Sequence, residues 1–132
     1  MTLILVIGGA YNGKLGFVKD KFNIEEEDIF IINDDLNDIY IDYSKKVINA
    51  FQKFTYKLSL KNIDALDFIL ENRESFKDKI IICDDISQGI VPLKKEERFW
   101  RENTGKCLQY ISNNSNIVYR VFCGIPMVIK DE

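Results

Sequence analysis

Apolar residues along this chain fall into short dense runs, separated by polar turns and by stretches with helical spacing. The first run, residues 3–7, is continuous rather than alternating and ends at Gly8-Gly9. Such a run predicts a strand buried on both faces of a parallel sheet. Glycine punctuation follows, and a helix is expected from near Gly13 to about Phe22. A second run at residues 29–32 sits between Glu25-Glu26-Glu27-Asp28 and Asn33-Asp34-Asp35, and predicts another buried strand with a polar turn at each end. Ser44 suits the N-cap of a helix whose inner face is Val47, Phe51, Phe54 and Leu58, with Ile48 beside them. Ile63, Leu66, Ile69 and Leu70 continue the helical period. The run Ile80-Ile81-Ile82-Cys83 predicts a third buried strand, stopping at Asp84-Asp85. A helix from about Lys94 to Ser112 would carry Trp100, Cys107 and Ile111 on one side. Strands at residues 117–123 and 127–129, joined at Gly124-Ile125-Pro126, close the chain. Strands alternating with helices predict an α/β layered fold with a mainly parallel central sheet.

Composition narrows the function classes. The 132 residues, 46% hydrophobic and 30% charged, fit one globular domain spanning 1–132, and no linker-like tract divides them. With 18 basic and 21 acidic side chains the net charge is −3, which excludes the broad basic surface of most nucleic-acid binders. The apolar start is too short to span a membrane and lacks a signal peptide's basic opening, so a cytoplasmic protein without a membrane partner is expected. The histidine count is zero, excluding a histidine metal site, a Ser-His or Cys-His pair and any phosphohistidine. Cys83, Cys107 and Cys123 are widely spaced and read as buried reduced thiols. Residues 34–43 hold four aspartates and no basic residue, and read as a solvated loop rather than a metal site.

The chemistry concentrates after the first strand. Gly8-Gly9-Ala10-Tyr11-Asn12-Gly13-Lys14 satisfies G-x-x-x-x-G-K between an expected strand and an expected helix, the context a phosphate-binding loop requires. Glycines let backbone N–H groups turn toward phosphate oxygens. The helix N-terminus adds its dipole, and Lys14 adds a full charge. The usual Ser or Thr after the lysine, whose hydroxyl would reach Mg²⁺, is Leu15 here, so any Mg²⁺ site is weakened. Asp84 and Asp85 stand at the carboxyl end of a buried strand, where ligands bind in open α/β sheets, and either could hold Mg²⁺. Arg98, Arg101 and Lys106 read first as a solvated helix face.

Four stretches together resemble the adenosylcobinamide kinase/adenosylcobinamide-phosphate guanylyltransferase family: GGAYNGK, DDISQGIVP at 84–92, RFWRENTGKCLQ at 98–109 and VYRVFCGIPMVIK at 118–130. In that family a GGARSGKS-like loop is followed by an NEVGxGIVP-like segment and a helix patterned R-x-F-R-D-x-x-G. The spaced set Asp85, Gly89, Ile90, Val91, Pro92, Arg98, Arg101, Gly105 and Gln109 is more specific than the loop alone. This chain departs from the family at Leu15, at Ser87 in place of a glycine, at Asp85 in place of a glutamate and in a shorter middle. It also lacks the histidine through which the family transfers guanylyl groups.

The resemblance implies a P-loop NTPase-like fold, GTP or ATP as ligand, a corrinoid small molecule as possible acceptor and a homo-oligomer. The implied reaction is in-line phosphoryl transfer to an alcohol, with the loop amides and Lys14 on the phosphates and Asp85, assisted by Asp84, on Mg²⁺ or the acceptor. Histidine-dependent guanylyl transfer is not expected. The alternative is a nucleotide-binding or regulatory paralogue without turnover.

Overall fold

The computed structural model describes residues 2–86 and 95–132. Motif positions Ser87, Gly89, Ile90, Val91 and Pro92, and the helix start expected at Lys94, lie outside those residues. Among the described residues the strands are β1 (Ile4–Gly8), β2 (Ile29–Ile31), β3 (Val47–Asn49), β4 (Ile80–Asp84), β5 (Ile117–Phe122) and β6 (Ile125–Asp131). The helices are α1 (Lys14–Phe22), α2 (Phe51–Leu60), α3 (Ala65–Glu71) and α4 (Lys95–Asn114). The strands form one sheet in the order β2-β3-β4-β1-β5-β6. All neighbours run parallel except β5 and β6. This is the mixed, mostly parallel α/β architecture that the run pattern predicts.

Alternation along the inner strands divides the core into two layers. Leu5, Ile81 and Cys83 face a cluster with Phe51, Phe54, Leu58, Ile69, Cys107 and Ile111 from α2, α3 and α4. Ile4, Val6, Ile80 and Ile82 face the other way, onto Val18 of α1 and Tyr119 and Val121 of β5. Strands covered on both sides need apolar residues at every position, which is why β1 and β4 read as continuous runs.

One expected helix is shorter than its periodicity suggests. Val47 and Ile48 belong to β3, which pairs with β2 on one side and β4 on the other. Ser44 is not a helix cap: its N–H and its Oγ–H both donate to Asp42 Oδ1, at 3.0 and 2.6 Å. The chain turns at Ala50, which takes left-handed φ of 64°, and the helix starts at Phe51. Val47, Phe51, Phe54 and Leu58 all reach the core, but the first does so from a strand. Both buried faces need the same residue types, so spacing alone did not separate the three strand residues from the helix.

The acidic stretch is a loop tied to the core by Lys57. This lysine, 2% exposed, donates from Nζ to Asn33 Oδ1 and to the Asp38 carbonyl, both at 2.7 Å. The aspartates mostly shape the loop itself. Asp35, Asp38 and Asp42 accept backbone N–H bonds from Asn37, Tyr40 and Ser44, as turn-forming aspartates do. The Asn33 amide, donating to the Asp38 carboxylate, holds that carboxyl below its ordinary range.

At the other edge, β5 and β6 are joined by a two-residue turn, Cys123 at φ 50° and Gly124 at φ 76°. Both left-handed values match the twist of a tight hairpin. The last strand therefore begins at Ile125, two residues earlier than its apolar run suggests, and accommodates Pro126 because it is an edge strand. Ile125, Met127, Val128 and Ile129 on it are exposed.

The central strand is set tightly beside this hairpin. A Cβ on Gly8 would stand 2.4 Å from the Val121 carbonyl oxygen, so the end of β1 admits no side chain there. Gly16, inside α1, has nothing within 4 Å of its Cβ position. Gly8→Ala should cost about 1–3 kcal/mol through forced displacement of the strands. Gly16→Ala should be neutral or stabilise by up to about 1 kcal/mol. Urea unfolding of the two variants beside the parent checks both signs.

Candidate phosphate-binding site

The loop after β1 lies at the carboxyl ends of the parallel strands. It leaves β1 at Gly8, runs through Gly9, Ala10, Tyr11 and Asn12, and enters α1 through Gly13. Tyr11 at φ 63° and Gly13 at φ 83° both take left-handed backbone, which bends the loop back over its own strand. A side chain at Gly13 would be strained by this φ and would also meet the Gly124 Cα at 3.4 Å. Asn12 pins the loop to the hairpin: its carbonyl accepts from Gly124 N–H at 2.8 Å and its Oδ1 from Cys123 N–H at 3.4 Å. Tyr11 projects into solvent.

This geometry leaves a run of open donors. Among the described residues, no acceptor takes a hydrogen bond from the backbone N–H groups of residues 10–14. They cluster at the N-terminus of a nine-residue helix whose first turn carries no acidic residue. Open amides on a positive dipole end are an anion-binding arrangement.

Lys14, the first residue of α1, turns back beneath the loop and is only 7% exposed. Its Nζ donates to the Gly9 carbonyl at 2.7 Å and pairs with Asp84 Oδ1 at 2.7 Å. The parallel register, Gly8 opposite Asp84, brings the two residues together. Asp85 points elsewhere. Its N–H donates to the Gly8 carbonyl at 2.8 Å, while Oδ2 lies 3.5 Å from Arg120 Nη1. The adjacent aspartates therefore engage different cations, and Asp84 rather than Asp85 is the carboxylate at the loop lysine. Leu15 packs with Val18 in the core layer beneath α1 and offers the loop no oxygen.

The sequence reading missed two neighbours. Gln52 Oε1 accepts the Asp84 N–H at 3.0 Å. Because β3 pairs with β4 only as far as Ile81, this side chain replaces a strand partner that β3 is too short to supply. The Gln52 carbonyl in turn accepts from Trp100 Nε1 at 2.9 Å, linking α4 to the same point. Arg120 was legible only as part of a strand, and its pairing to Asp85 depends on the β1–β5 register. Of the helix cations, Arg98 and Lys106 are exposed and Arg101 is half-buried. Arg98 lines a surface cavity of about 590 Å³ with Ser59 and Phe99. Another cavity, of about 360 Å³, lies at the opposite, amino ends of β1 and β4 beside Leu3, Phe76 and Asn116, away from this chemistry.

Metal-binding capacity is modest. Among the described residues no cluster of three or more His, Cys, Asp or Glu could hold a metal ion. Asp84 is the carboxylate beside Lys14, and one carboxylate together with phosphates and waters is a normal Mg²⁺ set. Cys83 and Cys107 are poorly placed as nucleophiles, being buried. Burial pushes the Cys83 thiol far above its usual range and the Cys107 thiol up to about 12. Cys123, expected to be buried, is exposed because it occupies the hairpin turn.

The cobinamide kinase/cobinamide phosphate guanyltransferase family model matches residues 38–129. The chain belongs to that family. Membership connects it with nucleotide and corrinoid substrates and with cobalamin biosynthesis. The match takes in β4, Asp84, Asp85, α4 and most of the hairpin, and begins downstream of the glycine loop. No curated protein matches the chain significantly. Among the described residues no helix is long and apolar enough to cross a membrane.

In this family member the exposed turn gives a direct check of the loop–hairpin geometry. A maleimide at low excess should modify Cys123 quickly in the native protein, and Cys83 and Cys107 only after unfolding. Cys123→Ser should remove the fast phase. A fast phase that persists in this variant would place one of the other thiols at the surface.

Proposed function

We propose that this cobinamide kinase/guanyltransferase family member binds a purine nucleoside triphosphate, GTP or ATP, over the 8–14 loop. One observation carries the reading: five consecutive open backbone N–H groups lie on a helix N-terminus, with the buried ammonium of Lys14 beneath them. The amides suit the bridging and terminal phosphate oxygens, and Lys14 suits the most negative of them. A phosphate-bound Mg²⁺ would find Asp84, and would neutralise charge on the phosphates. Asp85, held beside Arg120, then lies toward the acceptor. The reaction supported is in-line phosphoryl transfer to an alcohol of a corrinoid, which needs positioning and charge stabilisation rather than a covalent intermediate. A homo-oligomer would cover the exposed Ile125, Met127 and Ile129 of β6.

Removing the Lys14 charge should weaken triphosphate binding. A charge-assisted contact contributes about 1.5–3 kcal/mol, so Lys14→Ala should lose roughly ten- to a hundred-fold in affinity by calorimetry. Unchanged affinity, or no nucleotide binding by the parent, contradicts the reading.

A second reading rests on Leu15. A leucine there, packed against the core layer beneath α1, leaves the loop without the hydroxyl that helps organise metal-dependent turnover, which favours a nucleotide-binding regulator that does not turn over. Phosphate transfer to cobinamide, measured directly, separates the two. On either reading guanylyl transfer through histidine is absent, because the chain has none. Incubation with α-phosphate-labelled GTP should leave no label on the denatured protein. Stoichiometric label stable to alkali and released by acid would instead identify a lysine phosphoramidate.

A further inference from the structure

The Lys14 ammonium is already engaged. It carries three N–H donors, and the contacts at 2.7 Å to Asp84 Oδ1 and the Gly9 carbonyl draw it beneath the loop. The Asp84 backbone is itself held, with its N–H on Gln52 Oε1 at 3.0 Å, so the carboxylate is presented from a fixed strand end. Asp85 carries no comparable claim on Lys14, since its Oδ2 faces Arg120. A phosphate seated on the open amides must therefore share Lys14 with Asp84 through its remaining donor, or displace Asp84 from it.

We propose that Asp84 is an internal competitor for Lys14, an anion built into the protein that holds the loop lysine against incoming phosphate. The inference rests on the nucleotide reading and adds regulation to that site. Two anionic groups contend for one buried cation. Whatever neutralises Asp84 frees Lys14 and also removes a carboxylate that would repel the phosphates. A divalent cation on Asp84 does this. Metal and nucleotide then tighten each other's binding, and the coupling is reciprocal. Asp84 thus acts in two opposed senses, weakening nucleotide binding without metal and supporting it with metal. A carboxylate that only held metal, or only repelled phosphate, would show no dependence of the first effect on Lys14.

The test is calorimetric titration of GTP and of ATP, in EDTA and in Mg²⁺. The proteins are the parent, Asp84→Asn, Asp84→Ala, Lys14→Ala and the double variant Asp84→Asn/Lys14→Ala, with circular dichroism to check folding. In EDTA both Asp84 variants should bind nucleotide about tenfold more tightly than the parent, the size expected from releasing one charge-assisted contact. Mg²⁺ should strengthen their binding less than it strengthens the parent's. The EDTA gain should vanish in the Lys14→Ala background, because the lysine transmits it. If the parent binds nucleotide and both folded Asp84 variants bind equally or more weakly in EDTA, the competitor is overturned while the nucleotide site stands. A gain that persists without Lys14 reflects general charge relief and also overturns it. No binding by the parent under either condition overturns the nucleotide reading and this inference with it.

Discussion

The parallel register of β1 against β4 is the constraint on which the rest of this molecule depends. Gly8 lies opposite Asp84, so the point where the chain leaves the sheet to form the loop is also the point where β4 presents its acidic end. Because β1 sits between β4 and β5, the loop is bounded by a carboxylate on one side and by the hairpin on the other. The hairpin comes close enough that Gly8 can carry no side chain. A one-residue slip of β4 would remove Asp84 from Lys14, and would exchange the faces that Ile81 and Ile82 give to the two core layers.

From that register the electrostatics follow. Period-two alternation sends the side chains of Asp84 and Asp85 in different directions, one to the loop lysine and one to Arg120. Neither ion pair lies wholly in solvent, and neither is sealed in the core. The Lys14 side chain is nearly covered while that of Asp84 keeps partial access, so its carboxylate can exchange partners. Gln52 and Trp100 tie this strand end to α2 and α4, the layer built from the span that defines the family.

Much of this architecture was legible in the sequence, and its gaps have physical causes. Strands β1 and β4 were plain because double-sided burial demands unbroken apolar runs. The loop was plain because glycine and lysine spacing is a local property. By contrast β3 was absorbed into the following helix. Val47 and Ile48 are apolar and buried, Val47 in the α1 layer and Ile48 in the layer of Phe51 and Phe54, and spacing alone does not tell a strand's two buried faces from one helix face. The break at Ala50 relies on a non-glycine residue in left-handed backbone. The choice between Asp84 and Asp85 was not legible, since adjacent carboxylates look alike until register orients them. The family pattern drew attention to Asp85, whereas Lys14 meets Asp84. Gln52 and Arg120 carried no signal, for their roles exist only through contacts between elements distant in sequence. Cys123 looked like another buried thiol, but a two-residue turn leaves it outside.

The central claim is that the amides of residues 10–14 form an open anion seat over Lys14. Backbone amide NMR during titration with GTP examines it most directly, because it reports on each N–H separately. Saturable shifts concentrated on residues 10–14, with smaller ones at Asp84 and at Cys123-Gly124, are what the structure predicts. Saturable shifts that leave residues 10–14 unmoved and gather instead around Ser59, Arg98 and Phe99, or around Leu3, Phe76 and Asn116, would contradict it.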